Sequence, residues 1–183
     1  MWNITKDWWP IPAVIAVVAA IQVWWNGTYD LPGGHASDHF LNASAIFGFS
    51  VAVTILMWAL TREERRQPLV WLLAAAVLAG ALAVTIANVR VVDAIGSNNW
   101  SDAQADALGP ARPGFSSGHD LADQASLALS LAATAWAAWL GWRKAIHRGI
   151  AGVAILINLA GGLGVFVLAV GAIVRRVGRV REP

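Results

Sequence analysis

The stretch PLVWLLAAAVLAGALAVTIANV, residues 68–89, decides the fold. It carries no charge over 22 residues. A helix rises about 1.5 Å per residue, so roughly 20 apolar residues cross the ~30 Å hydrocarbon layer of a bilayer. Just before it stands Thr61-Arg-Glu-Glu-Arg-Arg-Gln67, a tight basic turn. Working outward, four more charge-free blocks appear, at about residues 10–25, 40–60, 124–142 and 149–174. The pattern predicts an all-α polytopic membrane protein with five transmembrane helices.

Composition agrees. The 183 residues are 57% hydrophobic and 13% charged, whereas a soluble domain is nearer half apolar and a quarter charged. Mean hydropathy is +0.57. A soluble globular enzyme and a disordered chain are excluded. The basic balance does not signal nucleic acid, because its Arg residues cluster beside apolar blocks, where they orient membrane segments. With no Cys, disulfides, thiolate zinc sites, iron–sulfur clusters and Cys nucleophiles are excluded.

The first block, 10–25, is bracketed by Trp8–Trp9 and Trp24–Trp25, as interfacial anchors would be. A cleaved signal peptide is the competing reading. Lys6 beside Asp7 makes a poor basic leader and the Trp pair a poor cleavage site, so a retained helix is expected. The turns 61–67 and 143–148 hold six of the thirteen Lys and Arg. The other two loops, 26–39 and 90–123, hold only Arg90 and Arg112 but carry Asp30, Asp38, Asp93, Asp102, Asp106, Asp120 and Asp123. Short basic loops mark the cytoplasmic side. A multi-pass cell-membrane protein with a cytoplasmic N-terminus and outward acidic loops is expected. One feature conflicts: five spans send the tail outside, yet Arg175, Arg176, Arg179 and Arg181 crowd it.

The sequence also repeats at a spacing of 84 residues, which lays Gly34-His35 on Gly118-His119, Trp58 on Trp142 and Gly80 on Gly164. The organisation expected is a single transmembrane domain. A peripheral first helix (1–30) precedes hairpin one (31–95), an outer loop (96–117), hairpin two (118–174) and a basic tail (175–183). The two tandem hairpins would form a four-helix core. Gly80, Gly161, Gly162 and Gly164 would let helices approach closely. Asn158 would make an interhelical hydrogen bond, since an amide at that depth must face protein. Residues 100–108 can form a short helix in the outer loop, packed at the interface or lying as a lid.

Ionisable groups gather in one place. His35, His39 and Asn42 follow the i, i+4, i+7 spacing of one helix face, with Asp38 beside them. His119, Asp123 and Ser126 repeat that spacing. If the hairpins pack as the repeat implies, both faces meet at the outer mouth of the bundle. Three readings follow. A transition-metal site would take His35, Asp38, His39, His119 and Asp123, because imidazole and carboxylate suit Zn, Cu, Fe or Ni. A haem b site would take His35 or His39 from one helix and His119 from the facing one. In the third, the acids and serines merely cap helix starts and favour the helix dipole.

The segment Arg112-Pro113-Gly-Phe-Ser-Ser-Gly118-His119 resembles the Pro-Ser-Gly-His segment of the type-2 phosphatidic-acid-phosphatase family. That family also has an upstream Lys-x6-Arg-Pro motif and a later Ser-Arg-x5-His motif bearing the nucleophile. Neither stands here at its spacing, so the phosphatase activity is not carried over. An enzymatic role would require turnover of a lipid or phosphate ester that depends on His119. The layout from about residue 33 to 174, with His35, His39 and His119 at outer helix starts, is similar to small bacterial membrane proteins of unknown function with a four-helix core. That resemblance implies a redox or metal role. The function expected is binding of a haem or metal ion at the outer face, for electron transfer, metal handling or sensing. The alternative is a transport or accessory subunit of a membrane complex with a structural polar cluster. The expected partners are the lipid bilayer and either a second copy or a larger membrane complex, not nucleic acid.

Overall fold

The computed structural model describes residues 36–97, 115–159 and 161–180. The first span, the short helix at 100–108 and His35 lie outside the described residues, among which no strand occurs. Among the described residues six helices follow in order: α1 (Ala36–Ala59), α2 (Arg62–Arg65), α3 (Pro68–Ser97), α4 (Phe115–Trp142), α5 (Arg148–Asn158) and α6 (Gly164–Val180). The fold is all-helical, and α3 and α4 are long and apolar enough to cross a membrane, over Pro68–Val91 and Asp120–Trp142.

The buried stripe of α3 (Val70, Ala74, Val77, Ala81) steps by four, three and four residues. That of α4 (Leu129, Ala133, Trp136, Leu140) does the same. This is the seam spacing of interlocking helices, and the two pack along most of their length. At Gly80 a Cβ would stand 3.0 Å from Leu129 Cα, so glycine sets how closely the two backbones approach. The opposite faces are apolar too: Leu72, Leu127 and Leu131 are all more than 60% exposed.

The turn between α1 and α3 is a knot. Thr61 Oγ1 accepts from Glu64 N and the Glu64 carboxylate accepts from Thr61 N, a capping box around the single turn of α2. The Arg65 guanidinium donates to the carbonyls of Met57, Trp58 and Leu60, which have no partner within α1. Trp71 Nε1 donates to Arg65 O at 2.7 Å. Pro68 then opens α3, where its missing N–H costs nothing.

The fifth span is a correction. Residues 149–174 are not one helix. After Asn158 the chain turns, with Gly161 at φ 95° and Gly162 at φ 84°, backbone that side chains other than glycine rarely adopt. Asn158 O accepts from both Gly161 N and Gly162 N. The chain then doubles back, so α5 and α6 are antiparallel. Gly171 lies against Ile150 and Gly164 against Ala154. Arg175 reaches the carbonyl of Ala145, before the start of α5. The elbow sits about 18–20 Å from the basic end, counted along α3 from Pro68 to Gly80 and along α4 from Trp142 to Leu129. At that level Leu129 is held between Gly80 and Gly162.

Two consequences follow. The tail conflict disappears, because the reversal brings Arg175 and Arg176 back to the end that holds the turns 61–67 and 143–147. The tandem repeat does not extend to its last helix: Gly80 lies inside a straight helix, whereas Gly164 starts a returning one.

Candidate functional site

At the acidic end, α1 and α4 both start, as the sequence predicts. Asp38 and His39 fall in the first turn of α1 and His119 in the first turns of α4. Of these three only the helical backbone is described. Asp120 and Asp123 are exposed on α4. Phe115–His119, the end of the phosphatase-like segment, opens α4, and residues 112–114 lie outside the described residues. The two helices are not neighbours. α3 packs between α1 and α4 on one side, and the α5–α6 pair lies on the other, with α6 against α1 and α5 against α4.

Register can be traced through contacts lower down. The Phe49 and Phe166 rings meet in a tilted contact, 5.2 Å between centroids and 57° between planes, and Gly162 meets Leu129. From these levels, a 1.5 Å rise sets the backbones of His39 and Asp123 both about 9 Å beyond the elbow, and His119 about 15 Å beyond it. The α5–α6 pair therefore stops short of all three. Among the described residues no group of three or more His, Asp and Glu stands close enough to hold a metal ion.

The basic end is tied shut. The Glu64 carboxylate pairs with Arg175 at 2.7 Å. Burial pushes that carboxyl up, but the hydrogen bonds from Arg175 and Thr61, with the Arg175 charge, outweigh burial and hold it below the usual carboxylate range. Arg176 lies over the Trp58 ring at 3.7 Å and donates to the Trp58 carbonyl. These contacts join the end of α6 to α1, to the α1–α3 turn and to the α4–α5 turn. A basic run beside an apolar block ordinarily reads as solvated, which is why sequence alone misses this lock. The signal available was the tail's charge, which sat on the wrong side of a five-span drawing. His147 Nδ1 accepts from Gly149 N and caps α5.

The elbow holds a third feature. Asn158 is fully buried, and among the described residues neither its Nδ2 nor its Oδ1 has a partner. The expected interhelical hydrogen bond is absent. Trp136 is also fully buried, with Nε1 unpartnered. The buried hydroxyls differ: Ser50 donates to Ile46 O and Thr85 to Ala81 O, one turn back in their own helices. No family model matches this chain, and neither does any curated protein or solved structure.

Proposed function

We propose that this is a multi-pass cell-membrane protein that binds a haem or a transition-metal ion at its outer end. The basic end faces the cytoplasm, following the bias of short basic loops. With the first span across the bilayer, the N-terminus is cytoplasmic as well. Helices that are apolar on both their packed and exposed faces support the membrane reading, because water would not tolerate the outer ones. His35 or His39 from α1 and His119 from α4 would hold a haem b. For a metal ion, Asp38 and Asp123 would complete the ligands. The observation that supports the metal-ion form of this reading is the shared level of His39 and Asp123, on two helices separated by α3; His119, the residue a haem would need from α4, lies about 6 Å farther out. Helices in direct contact lie about 8–10 Å apart, whereas two helices kept apart by a third leave room for a cofactor between them.

The test is an absorption spectrum and metal analysis of the purified protein. A Soret band, or one metal equivalent, that disappears in the His35→Ala, His39→Ala, His119→Ala triple variant is expected. A folded, colourless, metal-free preparation would overturn the reading.

A second reading, a transport or accessory subunit, draws on a different observation. A helix pair that ends part-way through the bundle and buries an unpartnered amide is the kind of broken element that membrane proteins keep for cavities and pathways. Four helices and a hairpin are few for a path, so this reading calls for a second copy or a larger complex. Assembly altered in the same triple variant, with no cofactor lost, would favour it.

A further inference from the structure

We infer that the α5–α6 elbow is a binding site for a small neutral hydrogen-bonding molecule, with water as its simplest occupant. A side-chain amide carries two donors and an acceptor that takes two bonds. At Asn158 it is fully buried and none of these is used by the described residues. Native proteins satisfy nearly all such groups, and where the protein does not, an ordered water commonly does.

The amide also lies against the backbone of the turn. Gly164 is the first residue of α6, a helix of 17 residues. A Cβ on Gly164 would stand 2.5 Å from Asn158 Oδ1 and would also collide with the Ala154 carbonyl oxygen. The amide therefore lies against the start of α6, where the turn satisfies its own backbone: Val165 N donates to Gly162 O and Phe166 N to Leu163 O, so there Asn158 alone is left without a partner among the described residues. Gly161 and Gly162, both left-handed, keep side chains out of the turn.

The chemistry selects the occupant. The charged residues of α5 and α6 whose side chains are described, Arg148, Arg175 and Arg176, all stand at the basic end, away from the elbow. No charge is there to neutralise an ion in apolar surroundings, and an isolated buried ion is costly. A neutral molecule that both accepts and donates matches a buried amide whose donors and acceptor are unused. Such a molecule gives a small polar solute a stopping place part-way across the bundle.

This inference rests on the membrane reading above but not on the cofactor. The chain has no Cys, so a single introduced thiol is the only one present. Four variants in vesicles, Asn158→Cys, Leu168→Cys, Leu156→Cys and Arg66→Cys, can be titrated with a small methanethiosulfonate, which needs water to ionise the thiol. Leu168 is fully buried in the core, Leu156 is 69% exposed on α5, and Arg66 is exposed in the basic turn. The expected result is a reaction at Asn158→Cys at least 100-fold faster than at Leu168→Cys. Equal, slow reaction at both would overturn the site. A Leu156→Cys thiol as fast as Arg66→Cys would instead overturn the membrane reading. The wild-type protein supplies an independent measurement that no folding defect can blur: water-edited solid-state NMR. Rapid polarisation transfer from water to the Asn158 side-chain amide is expected, and transfer no faster than to the Leu168 backbone N–H would overturn the site.

Discussion

Replacing Gly164 with alanine gives opposite outcomes for a hairpin and for a straight span. In a continuous helix over 149–174, Gly164 would be an interior glycine, and alanine would stabilise by about 1 kcal/mol. In the hairpin the added Cβ meets the Ala154 carbonyl oxygen, which is backbone, and Asn158 Oδ1 at 2.5 Å. The Ala154 carbonyl cannot swing aside as a side-chain end would. α5 and α6 must part, at a cost of about 3 kcal/mol, the upper range for overpacking a close-packed core. At roughly 2–4 °C per kcal/mol for a chain of this size, the midpoint falls by about 6–12 °C rather than rising by a few degrees. The assay is thermal unfolding in detergent followed by circular dichroism, with Gly152→Ala and Gly178→Ala alongside. A Cβ at either control position meets nothing within 4 Å. Adding Asn158→Ala removes one of the two obstructions and leaves Ala154, so Gly164→Ala remains destabilising in that background. A Gly164→Ala protein as stable as the parent would refute the antiparallel packing.

Three further outcomes follow from the same geometry. Glu64→Gln removes the charge that Arg175 faces and should cost about 1 kcal/mol at neutral pH, since the pair is only partly buried. The folded protein holds the Glu64 carboxyl below its ordinary 4.5, so this stabilisation is complete above that pH and is lost as pH falls through the lowered value; acid unfolding curves of Glu64→Gln should lose that part of their slope. A double-mutant cycle of Arg176→Gln and Trp58→Leu should show a coupling of about 0.5–1 kcal/mol from the ring contact, and strict additivity would argue against it. In oriented vesicles an impermeant thiol reagent should reach Arg66→Cys and Gly178→Cys from one side; labelling from opposite faces would restore five straight spans.

The spans that hydropathy finds well are those whose ends carry charge. Residues 61–67 separate α1 from α3 in sequence and in space, because three Arg and two Glu cannot stay in an apolar layer. Hydropathy nonetheless misjudges helix length. α3 continues to Ser97, past Arg90 and Asp93, and α4 starts at Phe115, before the apolar block at 124. Apolarity marks what lies in oil, whereas backbone hydrogen bonding decides where a helix ends. The same distinction hides the elbow. Asn158-Leu-Ala-Gly-Gly-Leu-Gly164 is free of charge, so a hydropathy scan runs straight through it. The information lies in Gly161-Gly162, a dipeptide that marks turns. Read as small residues for helix packing, as Gly80 is, those two glycines vanish into a span. At the acidic end the spacing of His35, His39 and His119 was legible, but which helices are neighbours was not. A repeat of hairpins predicts facing partners, and only tertiary packing reveals that α3 stands between them.

The elbow also changes the meaning of the charges. In a five-span drawing the tail opposes the loops and the orientation nearly ties. Once α6 returns, Arg62, Arg65, Arg66, Arg143, Lys144, Arg148, Arg175 and Arg176 share one end, while Asp120 and Asp123 stand at the other. The hairpin thus converts an ambiguous charge pattern into a one-sided one. It also divides the labour along the bundle. From the basic end to the elbow, five helices pack around a core that includes Leu56, Val77, Trp136 and Leu168, and the Glu64–Arg175 and Trp58–Arg176 contacts tie its base. Beyond the elbow, α5 and α6 add nothing, and α1, α3 and α4 continue with polar residues on their outer turns. On the proposed function, a base tied by these contacts would let a ligand bind at the other end without disturbing the fold. Substitutions in the basic lock should therefore change stability, and substitutions at His39, His119 or Asn158 should change what the protein binds.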